Sequence, residues 1–324
     1  MWGRCLGFWC RGGSFVSLQG FVISIGRKNP TFLSALLIAV SIQSIGLFTL
    51  SAFKLISIPI TPLPLLATIL GGLIFGVGMA VARVCVTGGW FRSSEGVIGA
   101  SVALFSFALT ITSAQNGSLK TLLSPLLKHP LEIDNIYLTL GISPWWLVGV
   151  LTLASAGLFL YCFRRYPSYK DSRHSSIWLV AVGLGILRIV AWILSSQCGR
   201  NYGFGISVPT MHLFSYLTTG QQRYLNWGSL FVVGIFIGSL VSAKIWRDFE
   251  WRSLNGIDFL KSLVGGVLMG IGAYWAGGCT ATNALVASAY FSWQGWIAMI
   301  AMIVGCVAAS SFFRVKQCEL RRKK

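Results

Sequence analysis

Gly71-Gly72-Leu-Ile-Phe-Gly76-Val-Gly78-Met-Ala-Val-Ala82-Arg83-Val84-Cys85 returns later in the chain as Gly265-Gly266-Val-Leu-Met-Gly270-Ile-Gly272-Ala-Tyr-Trp-Ala276-Gly277-Gly278-Cys279. Gly71, Gly72, Gly76, Gly78, Ala82 and Cys85 recur at Gly265, Gly266, Gly270, Gly272, Ala276 and Cys279, every one 194 positions on. This is an ungapped internal repeat. Each copy reads as an apolar helix ribbed with glycine that delivers one cysteine at its end.

The surrounding composition places that repeat in a bilayer. Of 324 residues, 55% are hydrophobic and only 10% charged, and the mean hydropathy is +0.72, far above a soluble domain. Several apolar runs reach the roughly 20 residues that a helix needs to cross hydrocarbon. The pattern predicts an all-α integral membrane protein; the weak alternation of an outer-membrane barrel is not seen. The net charge of +18 comes from basic residues lying between and after the apolar runs, not gathered on one domain. That distribution argues against nucleic acid and for contact with anionic headgroups. The eight cysteines show no CxxC and lie mostly within apolar segments, which argues against a disulfide scaffold or a zinc module.

Taken in order, the chain predicts about nine membrane helices. A short first helix (about Met1 to Gly12) precedes a re-entrant piece (about Ser14 to Ser24), and the next helix spans about Thr31 to Phe53. Pro59, Pro62 and Pro64 mark the turn into the first ribbed helix, which ends near Cys85; Gly88 and Gly89 are read as the break. Helices over about Val97 to Ser113 and Trp145 to Phe163 flank one long polar loop, Gln115 to Gly141. A helix from about Ile177 to Ser196 leads to Gly199-Arg200 and, through Ser207, Pro209 and Thr210, to a half-helix. Helices over about Trp227 to Ala243, Phe259 to Cys279 and Gln294 to Phe313 complete the set before a basic tail.

Lys and Arg set the orientation. With the tail on the cytoplasmic side, seventeen fall inside and five outside, four within helices being left out. Residues 1-115 and 176-324 then form two halves joined by a connecting loop and helix over 116-175. Equivalent helices are offset by five, an odd number, so the halves are inserted upside down relative to each other. Such pseudo-symmetric inverted repeats place a site near the midplane, lined by broken helices.

Several residues can carry chemistry there. Glycine ribs alone are explained by close helix packing, but Gly277-Gly278 before Cys279 also exposes backbone N–H groups. Cys162 and Cys306 read as small hydrophobes. Cys85 and Cys279 stand where helices break and polar residues begin, with Thr87 after one and Thr280, Thr282 and Asn283 after the other. Carboxylates are scarce, so a proton relay or a hard-cation site is poorly supported. A soft thiol beside exposed amides and Arg83 or Arg92 suits a sulfur-containing anion. Arg188, inside an apolar helix, reads either as an anion contact or as a snorkelling or carbonyl-paired side chain.

These cysteine segments resemble the YeeE/YedE family of bacterial sulfur-compound transporters, as do Ala35-Leu-Leu-Ile-Ala39-Val-Ser-Ile-Gln43-Ser, Gly199-Arg200 through Pro209-Thr210, and Trp293-Gln294-Gly295-Trp296. The likeness is strongest to the thiosulfate-uptake branch and covers nearly the whole chain. It implies nine helices with short re-entrant ones, and thiosulfate or a related anion passed along central cysteines without enzymatic turnover or a cofactor. It also implies the bacterial inner membrane and a small TusA-type sulfur carrier as partner. By position, Cys85 and Cys279 match the second and third path cysteines; from the residues themselves, Gly88, Gly277, Gly278, Arg83, Thr87, Ser207 and Thr210 are expected beside the same path. Val16 stands where the first path cysteine is expected, and Arg83-Val84 where two glycines are usual. Competing readings are a thiol-redox or sulfurtransfer protein working through a persulfide, and a degenerate member that does not transport.

Overall fold

The computed structural model describes residues 30–60, 62–128, 130–131, 133, 135–165, 175–199, 202–203, 205–247 and 249–322. The expected first helix, the re-entrant piece and Val16 lie outside the described residues. Twelve α-helices follow in order: α1 (Thr31–Ala52), α2 (Leu65–Ala82), α3 (Val86–Ser94), α4 (Ile98–Asn116), α5 (Leu119–Leu123), α6 (Ile136–Thr139), α7 (Pro144–Arg165), α8 (Ser175–Gln197), α9 (Ser207–Thr219), α10 (Trp227–Ile245), α11 (Gly256–Trp275) and α12 (Trp293–Arg322). A π-helical turn, Thr282–Ala287, lies between the last two. Among the described residues eight spans are long and apolar enough to cross a membrane, α2 and α3 counting as one. The protein is an all-α integral membrane protein.

Glycine decides how the central helices meet. A Cβ on Gly71 would stand 2.6 Å from the Ala276 nitrogen and one on Gly272 would stand 2.6 Å from that of Phe75; at the other end of the crossing, Gly265 meets Ala82 and Gly78 meets Met269 in the same way. The start of α2 therefore lies against the end of α11, so the two run antiparallel with backbones touching. Each of these contacts exchanges with another when 194 is added to one residue and subtracted from the other. Within lipid, helices gain no hydrophobic drive to associate, and small residues that permit such approach hold them instead. The second rib face is used too, Gly72 and Gly76 against α12, Gly266 and Gly270 against α4.

The helix ends repeat as well. Lys54 (φ 57°) ends α1 and Arg247 (φ 54°) follows α10; Arg83 (φ 56°) ends α2 and Gly277 (φ 73°) follows α11; Gly96 (φ 92°) precedes α4 and Phe291 (φ 57°) precedes α12. These left-handed residues are separated by 193 to 195 positions, so matched breaks recur even where the residue types differ. Around this centre, α1 packs on α7 and α8, and α10 on α3 and α9. Apolar side chains such as Trp146, Val150 and Leu153 on α7 remain exposed, as a lipid-facing helix requires.

Three boundaries differ from the sequence reading. Gly88 and Gly89 do not break a helix but lie inside α3. The break falls at Arg83 to Cys85, where a left-handed residue ends α2 and an extended Cys85 opens α3. α11 stops at Trp275, short of Cys279, because Gly277 and Gly278 (φ 154°) leave the helical region. The loop from Gln115 to Gly141 holds α5, a 3-10 turn at Ser124–Leu127 and α6.

Candidate functional site

Cys85 caps α3. Its backbone is extended (φ −95°, ψ 167°), and its sulfur accepts a hydrogen bond from the Gly88 amide at 3.2 Å, as a serine would at the same position. Gly88 thus serves the site through its N–H. Cys279 sits at the matching break, and its Sγ lies 3.7 Å from Thr282 Oγ1, again three residues on. Both thiols are wholly buried.

The loop before Cys279 is built from small residues and amides. A Cβ on Gly278 would stand 2.6 Å from Thr282 Cγ2, and Gln294 lies directly against Gly277. Asn283 Nδ2 donates to the carbonyls of Ala276 (3.1 Å) and Gly278 (3.0 Å), tying up acceptors that the interrupted helix leaves open. Gln294 Nε2 adds a longer bond, 3.4 Å, to the Ala276 carbonyl.

The half-helix α9 joins the two cysteine segments. Its first residue, Ser207, accepts at Oγ from the Cys279 amide at 2.9 Å. One turn on, Thr210 Oγ1 accepts from Trp90 Nε1 of α3 at 3.0 Å while donating to the Ile206 carbonyl at 2.7 Å. Pro209 is tolerated because it falls in the first turn, where no intrahelical N–H bond is lost. Ser207 and Thr210 thus connect the Cys279 loop to the helix that Cys85 caps.

Other groups flank the sulfurs. Thr87, two residues after Cys85, and Thr280, next to Cys279, are both buried, and neither hydroxyl has a hydrogen-bond partner among the described residues. A buried hydroxyl left without a partner costs free energy of about 1–3 kcal/mol, so each of these two groups gains from an acceptor that reaches it. Arg83, by contrast, is exposed, and its carbonyl accepts from Arg92 Nη1 at 3.5 Å. Its left-handed backbone is the one that Gly277 adopts in the second copy. Cys306, read as a plain core residue, is buried where α12 lies against Gly76 of α2. Trp90 carried no sequence signal, since it acts across more than a hundred residues; Gln294 and Asn283 stood within stretches already singled out.

An all-helical, multi-pass membrane protein with two buried thiols at matched helix breaks is the class that this geometry defines. The chain belongs to the sulphur-transport family of YeeE/YedE proteins, whose model matches residues 12–308. It is 36% identical over 323 residues to the thiosulfate transporter TsuA of Escherichia coli (strain K12), covering 95% of this chain and 92% of that protein. It is 30% identical over 317 residues to the thiosulfate transporter TsuA of Spirochaeta thermophila, covering 89% and 94%. It is accordingly a multi-pass transporter of the sulfur-compound class.

Proposed function

We propose that this protein is a permease that takes up thiosulfate, with Cys85 and Cys279 as successive contacts on one route through the membrane. The observation that carries this reading is that each buried thiol is followed within two residues by a buried hydroxyl with no partner among the described residues, Thr87 after Cys85 and Thr280 after Cys279. A thiosulfate ion offers both an oxygen face and a polarizable sulfur, and S–H and O–H donors suit the two ends. The donors are arranged before the ligand arrives, so binding does not require reorganising them. Thiols used this way return unmodified, which separates a permease from a persulfide-forming enzyme. The two relatives, both thiosulfate transporters by name and matched nearly end to end, support the choice of substrate.

The halves over 1-115 and 176-324, with 116-175 between them, supply the inverted architecture in this reading, and the exchange of contacts between α2 and α11 supports it. The seventeen basic residues against five support a bacterial inner-membrane orientation with the tail in the cytoplasm. A TusA-type carrier would then receive the sulfur on that side. Uptake into vesicles reconstituted with the purified protein tests the substrate: labelled thiosulfate accumulates and unlabelled thiosulfate competes better than sulfate. Accumulation no faster than in empty vesicles overturns the proposal.

A further inference from the structure

Arg188 is the one charged side chain among the described residues that is buried, with 1% of its surface exposed. It lies near the middle of the Ile177–Gln197 span, too deep to reach headgroups. The burial rules out snorkelling, in which the guanidinium would stay at the interface. An intramembrane cation is costly, and where one is kept it faces the protein interior and marks a pathway or a partner.

Its surroundings are set by close helix packing. Gly185, one turn earlier on α8, lets that helix approach Ile42 of α1, and Gly46 of α1 receives Ile189. This approach brings Arg188 to Gln43, whose Oε1 accepts from Arg188 Nη1 at 3.3 Å. One turn beyond Arg188, Trp192 packs edge-on against Tyr290, with ring centroids 6.3 Å apart, and against Gly203. Ser44, beside Gln43, donates to the Ala289 carbonyl at 2.7 Å. α1 and α8 are therefore both seated on the segment that follows Cys279.

Gln43 supplies the second observation. Arginine has donors and no acceptor, so the amide oxygen of Gln43 must face it and the NH₂ group must point elsewhere. That Nε2 is fully buried and has no hydrogen-bond partner among the described residues. The cluster thus places a positive charge and an unspent amide donor side by side deep in the membrane.

We propose that Arg188 and Gln43 form a counter-charge site for a compact oxyanion at the Cys279 end of the route, and that this site sets selectivity for doubly charged anions. The proposal rests on the permease reading and adds to it the groups that select by charge. Arg188 is a substrate contact, and Gln43 both orients it and donates to the ion. Among the described residues the site has no counterpart at Cys85, so the two ends of the route differ in charge, and the anion binds more firmly at Cys279.

Two measurements test the proposal separately from the permease reading. In cells lacking other thiosulfate permeases, labelled-thiosulfate uptake should show a KM raised about tenfold or more in Arg188→Gln and partly restored in Arg188→Lys, the scale on which a focused charge raises local ion concentration. Modification of Cys279 in the full chain by an anionic and by a cationic methanethiosulfonate, read by mass spectrometry of its peptide, gives a charge ratio that needs no transport. The anionic reagent should be favoured at Cys279 relative to exposed Cys198, and Arg188→Gln should remove that preference. If Arg188→Gln does not fold, the ratio in the unaltered protein still decides. A wild-type protein that takes up no thiosulfate defeats the permease reading alone. A KM unchanged in Arg188→Gln, or a Cys279 ratio with no preference for the anion, overturns the counter-charge site.

Discussion

Replacing Gly272 with alanine is the sharpest probe of the central crossing. The added methyl would stand 2.6 Å from the Phe75 nitrogen and 2.7 Å from the Gly71 oxygen, and ordinary contact begins at 3.4 Å. α2 and α11 must part by about 0.8 Å, because backbone atoms cannot rotate aside as a side chain can. Overpacking of this kind costs about 1–3 kcal/mol, and the rigid neighbours put Gly272→Ala at the upper end. The contact exchanges with Gly78 against Met269, at 2.8 Å, so Gly78→Ala should cost a similar or slightly smaller amount. Gly234 on α10 has nothing within 4 Å and is the control; Gly234→Ala should be neutral or stabilise by up to about 1 kcal/mol through helix propensity. Unfolding of the purified variants, followed by loss of helical signal against denaturing detergent, reads all three. The reasoning is refuted if Gly272→Ala unfolds at the same point as Gly234→Ala, since the backbones would then not be in contact.

Three further outcomes are expected. Ser207→Ala leaves the buried Cys279 amide without an acceptor and should cost about 1–3 kcal/mol, with Ser207→Thr losing less in the same unfolding assay; equal loss in both would show that the hydroxyl is not what matters. Arg83→Gly relieves a left-handed backbone at an exposed position and should stabilise the protein by about 1 kcal/mol without reducing uptake; an uptake loss would make the Arg83 side chain itself part of the route. Thr87→Val and Thr280→Val remove hydroxyls that make no bond among the described residues, so stability should hold or rise while thiosulfate uptake falls; unchanged uptake in both would detach the hydroxyls from the substrate.

The residues that announced themselves in the sequence are those for which physics leaves little choice. Gly71, Gly78, Gly265 and Gly272 lie where two backbones touch, and no other residue type fits, so the repeat was visible as identities. Gly88 and Gly89 misled because glycine is also tolerated inside a helix. The actual break is made by the backbone of Arg83 and Cys85, and non-glycine residues do not advertise φ. Aligning Arg83 with Gly277 held the clue, since a glycine at a helix end in one copy forecasts positive φ at the matching position in the other. The bond from Trp90 to Thr210 was not readable, because nothing local to either residue specifies a partner 120 positions away. α12 runs on to Arg322, past the expected stop, because charged residues outside hydrocarbon continue a helix as well as apolar ones do.

Uptake of labelled thiosulfate by Cys85→Ala and Cys279→Ala, each in cells with no other route for the ion, tests most directly whether two thiols share one path. Both variants should reach the membrane in wild-type amounts and take up less than about a tenth of the wild-type rate, the loss expected when a buried, preorganised donor is deleted. Wild-type uptake by either variant would contradict the account.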